Sequence, residues 1–181
     1  RLIYTSERSE LMAEIESDPR VRQMAALSGK ELVPAPDRLD GNTVIMKHPG
    51  IADALSDLPW HVDCGLGGHS LKCPVLQLSI FLEHSNPETG NLRVLAGSWR
   101  SAKGVAGPAA DRTGPGVVDL IAAPGDCTLH YSDTMHTAPP PTGKTGPYRR
   151  SLVLSLWQPR VLDVIGPGES FTDIIVGREE G

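Results

Sequence analysis

A chain of 181 residues with 39% hydrophobic and 22% charged positions fits a single soluble domain with a real core. Its net charge of −5, without any Lys/Arg-rich run, excludes a dominant role on nucleic acid or an anionic membrane, where clustered cations are needed. No stretch approaches the roughly 18 uninterrupted apolar residues of a membrane span, and the opening "RLIYTSERSE" lacks the apolar core of a secretion signal.

Glycine at 19 and proline at 16 exceed their usual share, which favours many turns and a β-rich fold. The chain does not begin with Met and is expected to be a piece of a longer one. Cys64, Cys73 and Cys127 form no CxxC pair and read as reduced, buried thiols of a cytoplasmic protein.

The first 30 residues read as helical. "SERSELMAEIE" has candidate caps at Thr5 or Ser6, and Pro19 falls in the first turn of a second helix. There Val21, Met24 and Leu27 recur at three-residue spacing before Gly29 ends the run. A Pro/Asp-rich loop leads to "TVIMKH", a strand, and "GIADALSDL" is a short helix or turn ahead of Trp60.

Beyond it come short β-type runs: 75–83, 92–97, 116–123, 127–131 and 150–158, separated by "NPETGN", "APGD" and "PPPTGKTGP". Helices followed by turn-punctuated strands predict a β-sandwich or barrel flanked by N-terminal helices. The expected division is a helical part over 1–59, a β core over 60–160 and a C-terminal extension over 161–181, all in one domain.

"WHVDC" places His61 and Asp63 two apart, and in a strand both side chains point the same way. His136, in "GDCTLHYSDTMHTAPPP", follows a short apolar strand far downstream and supplies a third group. Two histidines and a carboxylate on one face of an octahedron leave three open positions, the arrangement of non-haem Fe(II) oxygenases. H-x-D alone occurs often by chance, and a single histidine after a strand is more often a plain loop residue. His48 and His69 read as solvent-facing or pocket-lining, and His84, after Glu83, as a strand-end surface residue. His130 is set out of phase with Asp126 and Thr128 and is expected to face away from them.

Two strands strengthen the case. In "RRSLVLSLW", Arg149, Ser151, Val153, Ser155 and Trp157 share one face, while Arg150, Leu152, Leu154 and Leu156 share the other. Strand 75–83 divides likewise, Leu76, Leu78, Ile80 and Leu82 against Val75, Gln77, Ser79 and Phe81. A leucine face backed by a small polar face describes a barrel whose interior holds a polar ligand. An arginine inside it needs an anion, because an unpaired buried guanidinium costs several kcal/mol. Its planar fork suits a carboxylate; the plainer readings are an internal Arg–Asp pair or a surface arginine.

"WHVD" (60–63), "NPETGNLRVLAGSW" (86–99), "PGDCTLHYSDTMH" (124–136) and "RRSLVLSLW" (149–157), in that order, resemble the phytanoyl-CoA dioxygenase family of Fe(II)- and 2-oxoglutarate-dependent oxygenases. The resemblance implies a double-stranded β-helix (jelly roll), with His61, Asp63 and His136 as iron ligands and Arg149 on the distal carboxylate of 2-oxoglutarate. "PPPTGKTGPY" looks like a small insertion ahead of that arginine, which leaves Arg150 as the alternative; strand parity favours Arg149. Parity also places Gln77, Ser79, Thr128 and Ser151 as candidate contacts to 2-oxoglutarate or substrate. The family's chemistry would consume O2, release succinate and CO2, and hydroxylate or otherwise oxidise an unactivated C–H bond of a small molecule. An acidic residue at position 63 favours this over halogenation, where related enzymes leave that position open for chloride. The family commonly carries more chain ahead of H-x-D.

Rival readings are a cupin-type enzyme holding Fe, Mn or Zn without 2-oxoglutarate, and a catalytically silent jelly-roll binding module. A zinc hydrolase would need a base motif such as H-E-x-x-H, which the chain lacks. Trp60, Trp99 and Trp157 shape the pocket or pack in the core, and the loops near 64–73 and 100–116 are expected to govern substrate access.

Overall fold

The computed structural model describes residues 2–35, 41–50, 56–63, 75–100, 115–144 and 149–159. Three short helices, α1 (Thr5–Arg8), α2 (Glu10–Ser17) and α3 (Pro19–Ala26), lead into nine strands. These are β1 (Val33–Pro34), β2 (Thr43–Lys47), β3 (Leu58–His61), β4 (Leu76–Phe81), β5 (Leu92–Leu95), β6 (Val117–Leu120), β7 (Cys127–Tyr131), β8 (His136–Ala138) and β9 (Arg149–Trp157).

The helical stretch breaks twice. Ser9 is extended (φ −150°, ψ 120°) and separates α1 from α2. Asp18 caps α3, accepting from the Arg20 N–H at 2.8 Å, with Pro19 in the first turn where a missing N–H costs nothing. Val21 and Ala25, one turn apart, are the buried pair of α3. Leu27, expected on that face, is instead 81% exposed, because the helix ends before it.

The strands form two antiparallel sheets, the halves of a double-stranded β-helix. The larger has the order β1–β9–β4–β7, and β9 is long enough that β2 pairs its first half on the same edge where β1 pairs its end. The smaller has the order β3–β8–β5–β6. The core therefore starts well ahead of residue 60, since β1 and β2 belong to the larger sheet. The extension over 161–181, the helix or turn at 51–55 and the access loops at 64–74 and 101–114 lie outside the described residues.

Period-two alternation in β4 and β9 decides which way the larger sheet faces. Leu76, Leu78, Leu152, Leu154 and Leu156 are buried in one cluster with Val21, Ala25 and Leu32, against which Met12, Ile15 and Met24 of the helices pack. At about 2 kcal/mol per buried leucine, this outer face anchors the helices and frees the inner face to be polar. Leu82 lies past the end of β4 and is 48% exposed, so the leucine face is shorter than its pattern.

The loop from β8 to β9, the proposed insertion, is docked where described. Thr142 and Gly143 donate their N–H groups to the carbonyls of Pro87 and Glu88 at 3.1 and 3.0 Å. Gly90 makes this approach feasible: it has φ +74°, and a Cβ there would stand 2.7 Å from the Pro139 carbonyl oxygen and 3.1 Å from Lys47 Cδ. Gly90→Ala is expected to cost about 2–4 kcal/mol, the sum of left-handed strain and forced displacement. A lowered urea midpoint at unchanged m-value checks it.

Lys47 is 1% exposed and crosses between the sheets. Its ammonium donates to the carbonyls of Ser56 and Pro139, each at 2.7 Å, and to that of Ala138. Among the described residues no helix is long and apolar enough to cross a membrane. Cys127 is a free thiol but exposed, not buried as its neighbours in sequence implied, and Cys64 and Cys73 lie outside the described residues.

Candidate metal centre

A cavity of roughly 390 Å³ opens between the sheets. Its wall includes His61, Asp63 and His136 with Arg149, Gln77, Ser79 and Ser151.

His61 ends β3 and stands opposite His136 of β8 in the register of the smaller sheet. The register slips between Leu58 and His61, a bulge in β3. Bulges re-aim side chains beside functional sites, and here the slip brings the two imidazoles together, tilted by 54° with ring centroids 4.1 Å apart. Each ring donates from Nδ1 to the backbone carbonyl two residues before it, His61 to Pro59 and His136 to Thr134, both at 2.8 Å. In a neutral ring that contact puts the lone pair on Nε2, the nitrogen that faces the cavity.

Asp63 lies just past β3 and completes the group. Its Oδ1 is 3.4 Å from His61 Nε2 and 3.5 Å from His136 Nε2. The donor atoms of His61, Asp63 and His136 all lie within 4.8 Å of one another. Metal–ligand bonds of about 2.1 Å set adjacent octahedral donors about 3 Å apart, so the set closes on an ion with little movement. Burial opposes the charge on Asp63. The His136 charge and the hydrogen bonds from His130, His136 and His61 outweigh it and hold the carboxyl well below the usual carboxylate range. Burial likewise works against protonated His136, and Asp63 overcomes it, raising that imidazole above its ordinary value. An ionised carboxylate set among imidazoles is the donor set that a divalent cation would find.

Arg149 heads β9, is 4% exposed, and its Nε has no hydrogen-bond partner. Burial pulls its pKa down to about 10, so the guanidinium stays charged at neutral pH. The Phe81 ring lies 5.9 Å from it and supplies no counter-charge. Arg150 points to the opposite face, where it ion-pairs with Glu83 in the open. The cavity thus holds a buried cation lacking an anion, and the neighbouring arginine is already satisfied.

The other candidates separate by geometry. Gln77 is buried and engaged, accepting from Ser155 Oγ at 3.0 Å and donating to Ser132 Oγ at 3.4 Å, so it braces the wall. Ser151 and Ser79 line the cavity. Thr128 stands opposite Ser79 in register but outside the cavity wall, with a buried Oγ1 that has no partner. Trp60 and Trp157 are buried and, like Trp99, do not line the cavity.

His130 is the residue the sequence reading misplaced. Positions 126, 128 and 130 are two apart and therefore in phase, so His130 shares the inner face with Thr128. It pairs with Gln77 in register, lines the cavity, and its Nε2 lies 3.4 Å from Asp63 Oδ2. Burial pushes its imidazole below the ordinary value, more strongly than Asp63 raises it. His48 and His84 are exposed, and His69 lies outside the described residues.

A jelly roll with a two-histidine, one-carboxylate group in its mouth defines the class of mononuclear metal-dependent β-helix proteins. Comparison with known sequences gives the family: the phytanoyl-CoA dioxygenase profile matches residues 8–151, and the chain belongs to that family. No curated protein matches the chain by sequence. Among solved structures, AviO1 from Streptomyces viridochromogenes is 26% identical with a TM-score of 0.58, covering 78% of this chain and 58% of its own. EvdMO1 is 26% identical with a TM-score of 0.64, covering 81% of this chain and 32% of its own. The epimerase SnoN, solved with Fe3+, alpha ketoglutarate and nogalamycin RO, is 23% identical with a TM-score of 0.67, covering 87% of this chain and 62% of its own. The chain therefore spans less than two-thirds of the length of each of these neighbours.

Proposed function

We propose that the protein is an Fe(II)- and 2-oxoglutarate-dependent oxygenase that hydroxylates an unactivated C–H bond of a small-molecule substrate. The observation that carries this reading is the pairing, in one cavity, of a three-donor metal group with a buried guanidinium that has no anion. SnoN, crystallised with iron and alpha ketoglutarate on the same fold, supports it.

His61, Asp63 and His136 would hold the iron, which when bound supplies the activation of O2 and of the 2-oxoacid. Arg149 pairs its planar fork with the distal carboxylate of 2-oxoglutarate and fixes the length of the co-substrate against the site. Ser151, two residues along the same strand face, offers a hydroxyl to the same end, while Gln77 keeps the wall rigid through its serine partners. The two Nδ1–carbonyl contacts prevent the ligand rings from turning. A cavity of roughly 390 Å³ suits a small molecule. The free Cys127 thiol accords with a reducing cytoplasm.

The test is anaerobic. Fe(II) and 2-oxoglutarate added to the protein are expected to give the visible charge-transfer band of the chelate, and admission of air to give succinate. Folded protein that binds iron but gives neither band nor succinate overturns the reading in favour of a cupin-type enzyme. SnoN is an epimerase, so product analysis decides between hydroxylation and another oxidative outcome.

A further inference from the structure

We propose that His130 is a positioning residue for the Asp63 carboxylate: its Nε2–H holds Oδ2, so that Oδ1 alone faces the metal. The inference rests on the reading of His61, Asp63 and His136 as the metal group.

The two carboxylate oxygens are divided between different partners. Oδ1 faces His61 and His136 at 3.4 and 3.5 Å, and Oδ2 faces His130 at 3.4 Å. The donor atoms that lie within 4.8 Å of one another belong to His61, Asp63 and His136, and His130 is not of that group. His130 is thus close enough to bond the carboxylate and misplaced to serve as a fourth ligand. Its Nδ1 is buried without a hydrogen-bond partner. That fits the neutral tautomer with its proton on Nε2, since a buried lone pair costs less to leave bare than an N–H of an imidazolium.

The supports of the two residues differ. His130 belongs to β7, whose ladder to β4 sets it opposite Gln77, whose amide is fixed by Ser155 and Ser132. Asp63 lies beyond the last residue of β3, so the ladder does not hold its side chain. Among the described residues, His130 is the one partner of that carboxylate outside the metal group. Without it the carboxylate is free to rotate and bind through both oxygens. Bidentate binding would fill one of three open positions, and a chelating 2-oxoacid plus O2 needs all three.

The experiment uses Co(II) as a spectroscopic probe, titrated into the protein without co-substrate. His130→Phe keeps the ring's bulk and removes the donor. It is expected to weaken Co(II) binding about tenfold, the usual range for losing an outer hydrogen bond to a ligand, and to alter the Co(II) absorption. His130→Gln, whose amide nitrogen reaches about as far as Nε2, is expected to restore both. In an Asp63→Ala background, His130→Phe is expected to do nothing further.

Affinity and spectrum unchanged in His130→Phe overturn the proposal and leave the metal group standing. So does a loss that Gln fails to restore, or one that persists in the Asp63→Ala background. Wild-type binding retained in Asp63→Ala overturns the metal group and this inference together.

Discussion

His136→Ala is expected to lower turnover by at least about 10³-fold and to abolish tight metal binding while the protein stays folded. The proposed ligand set has no spare donor among the described residues, because His130 is outside the donor group and is engaged with Asp63. Losing one ligand removes several kcal/mol of the charge stabilisation a bound metal supplies, and about 1.4 kcal/mol corresponds to each tenfold. The fold does not depend on this side chain. The leucine cluster lies on the far side of the larger sheet, and β8 keeps its ladder through Thr137 and Ala138. His136 is buried against a cavity, so truncation enlarges an existing space instead of opening a new void in the core. A metal titration followed by optical absorption, with a melting curve on the same sample, checks both halves. A variant that binds Fe(II) as tightly as the wild type would remove His136 from the ligand set.

Strand polarity was readable from the sequence because sheets impose a strict period of two. The split of β4 and β9 into leucine and small-polar faces follows from spacing alone, and the helices cover the leucine side. The same rule separates Arg149 from Arg150. Features that depend on distant chain were hidden. The bulge in β3, which sets His61 opposite His136, needs the partner strand to be visible. Lys47 looks in sequence like an exposed strand-end cation, yet it is buried by three carbonyls near residues 56 and 138 that only folding brings to it. Leu27 carries an apolar signal without an apolar partner, because the helix stops short of it. His130 is legible by the same rule: the period of two over 126, 128 and 130 places it on the inner face, opposite Gln77.

Arg149→Leu is expected to raise the KM for 2-oxoglutarate by about 10²-fold or more while leaving the protein without co-substrate as stable as before, or more so. The two halves pull against each other, and that gives the experiment its force. Hydrogen bonds to a charged group contribute about 1.5–3 kcal/mol each, and a bidentate arginine–carboxylate contact makes two, so its loss accounts for two or more orders of magnitude. In the free protein the same guanidinium stands at a cost: it is 4% exposed, its Nε is unbonded, and burial has pulled its pKa to about 10. Replacing an uncompensated buried cation by leucine beside Phe81 removes that cost. Arg150→Ala is the control. It breaks an exposed pair with Glu83 on the opposite face, of the kind that contributes little to stability, and leaves the KM for 2-oxoglutarate unchanged. If Arg149→Leu instead destabilises the protein and spares co-substrate binding, the arginine is a structural cation. The cavity would then be that of a cupin-type enzyme whose metal works without a 2-oxoacid.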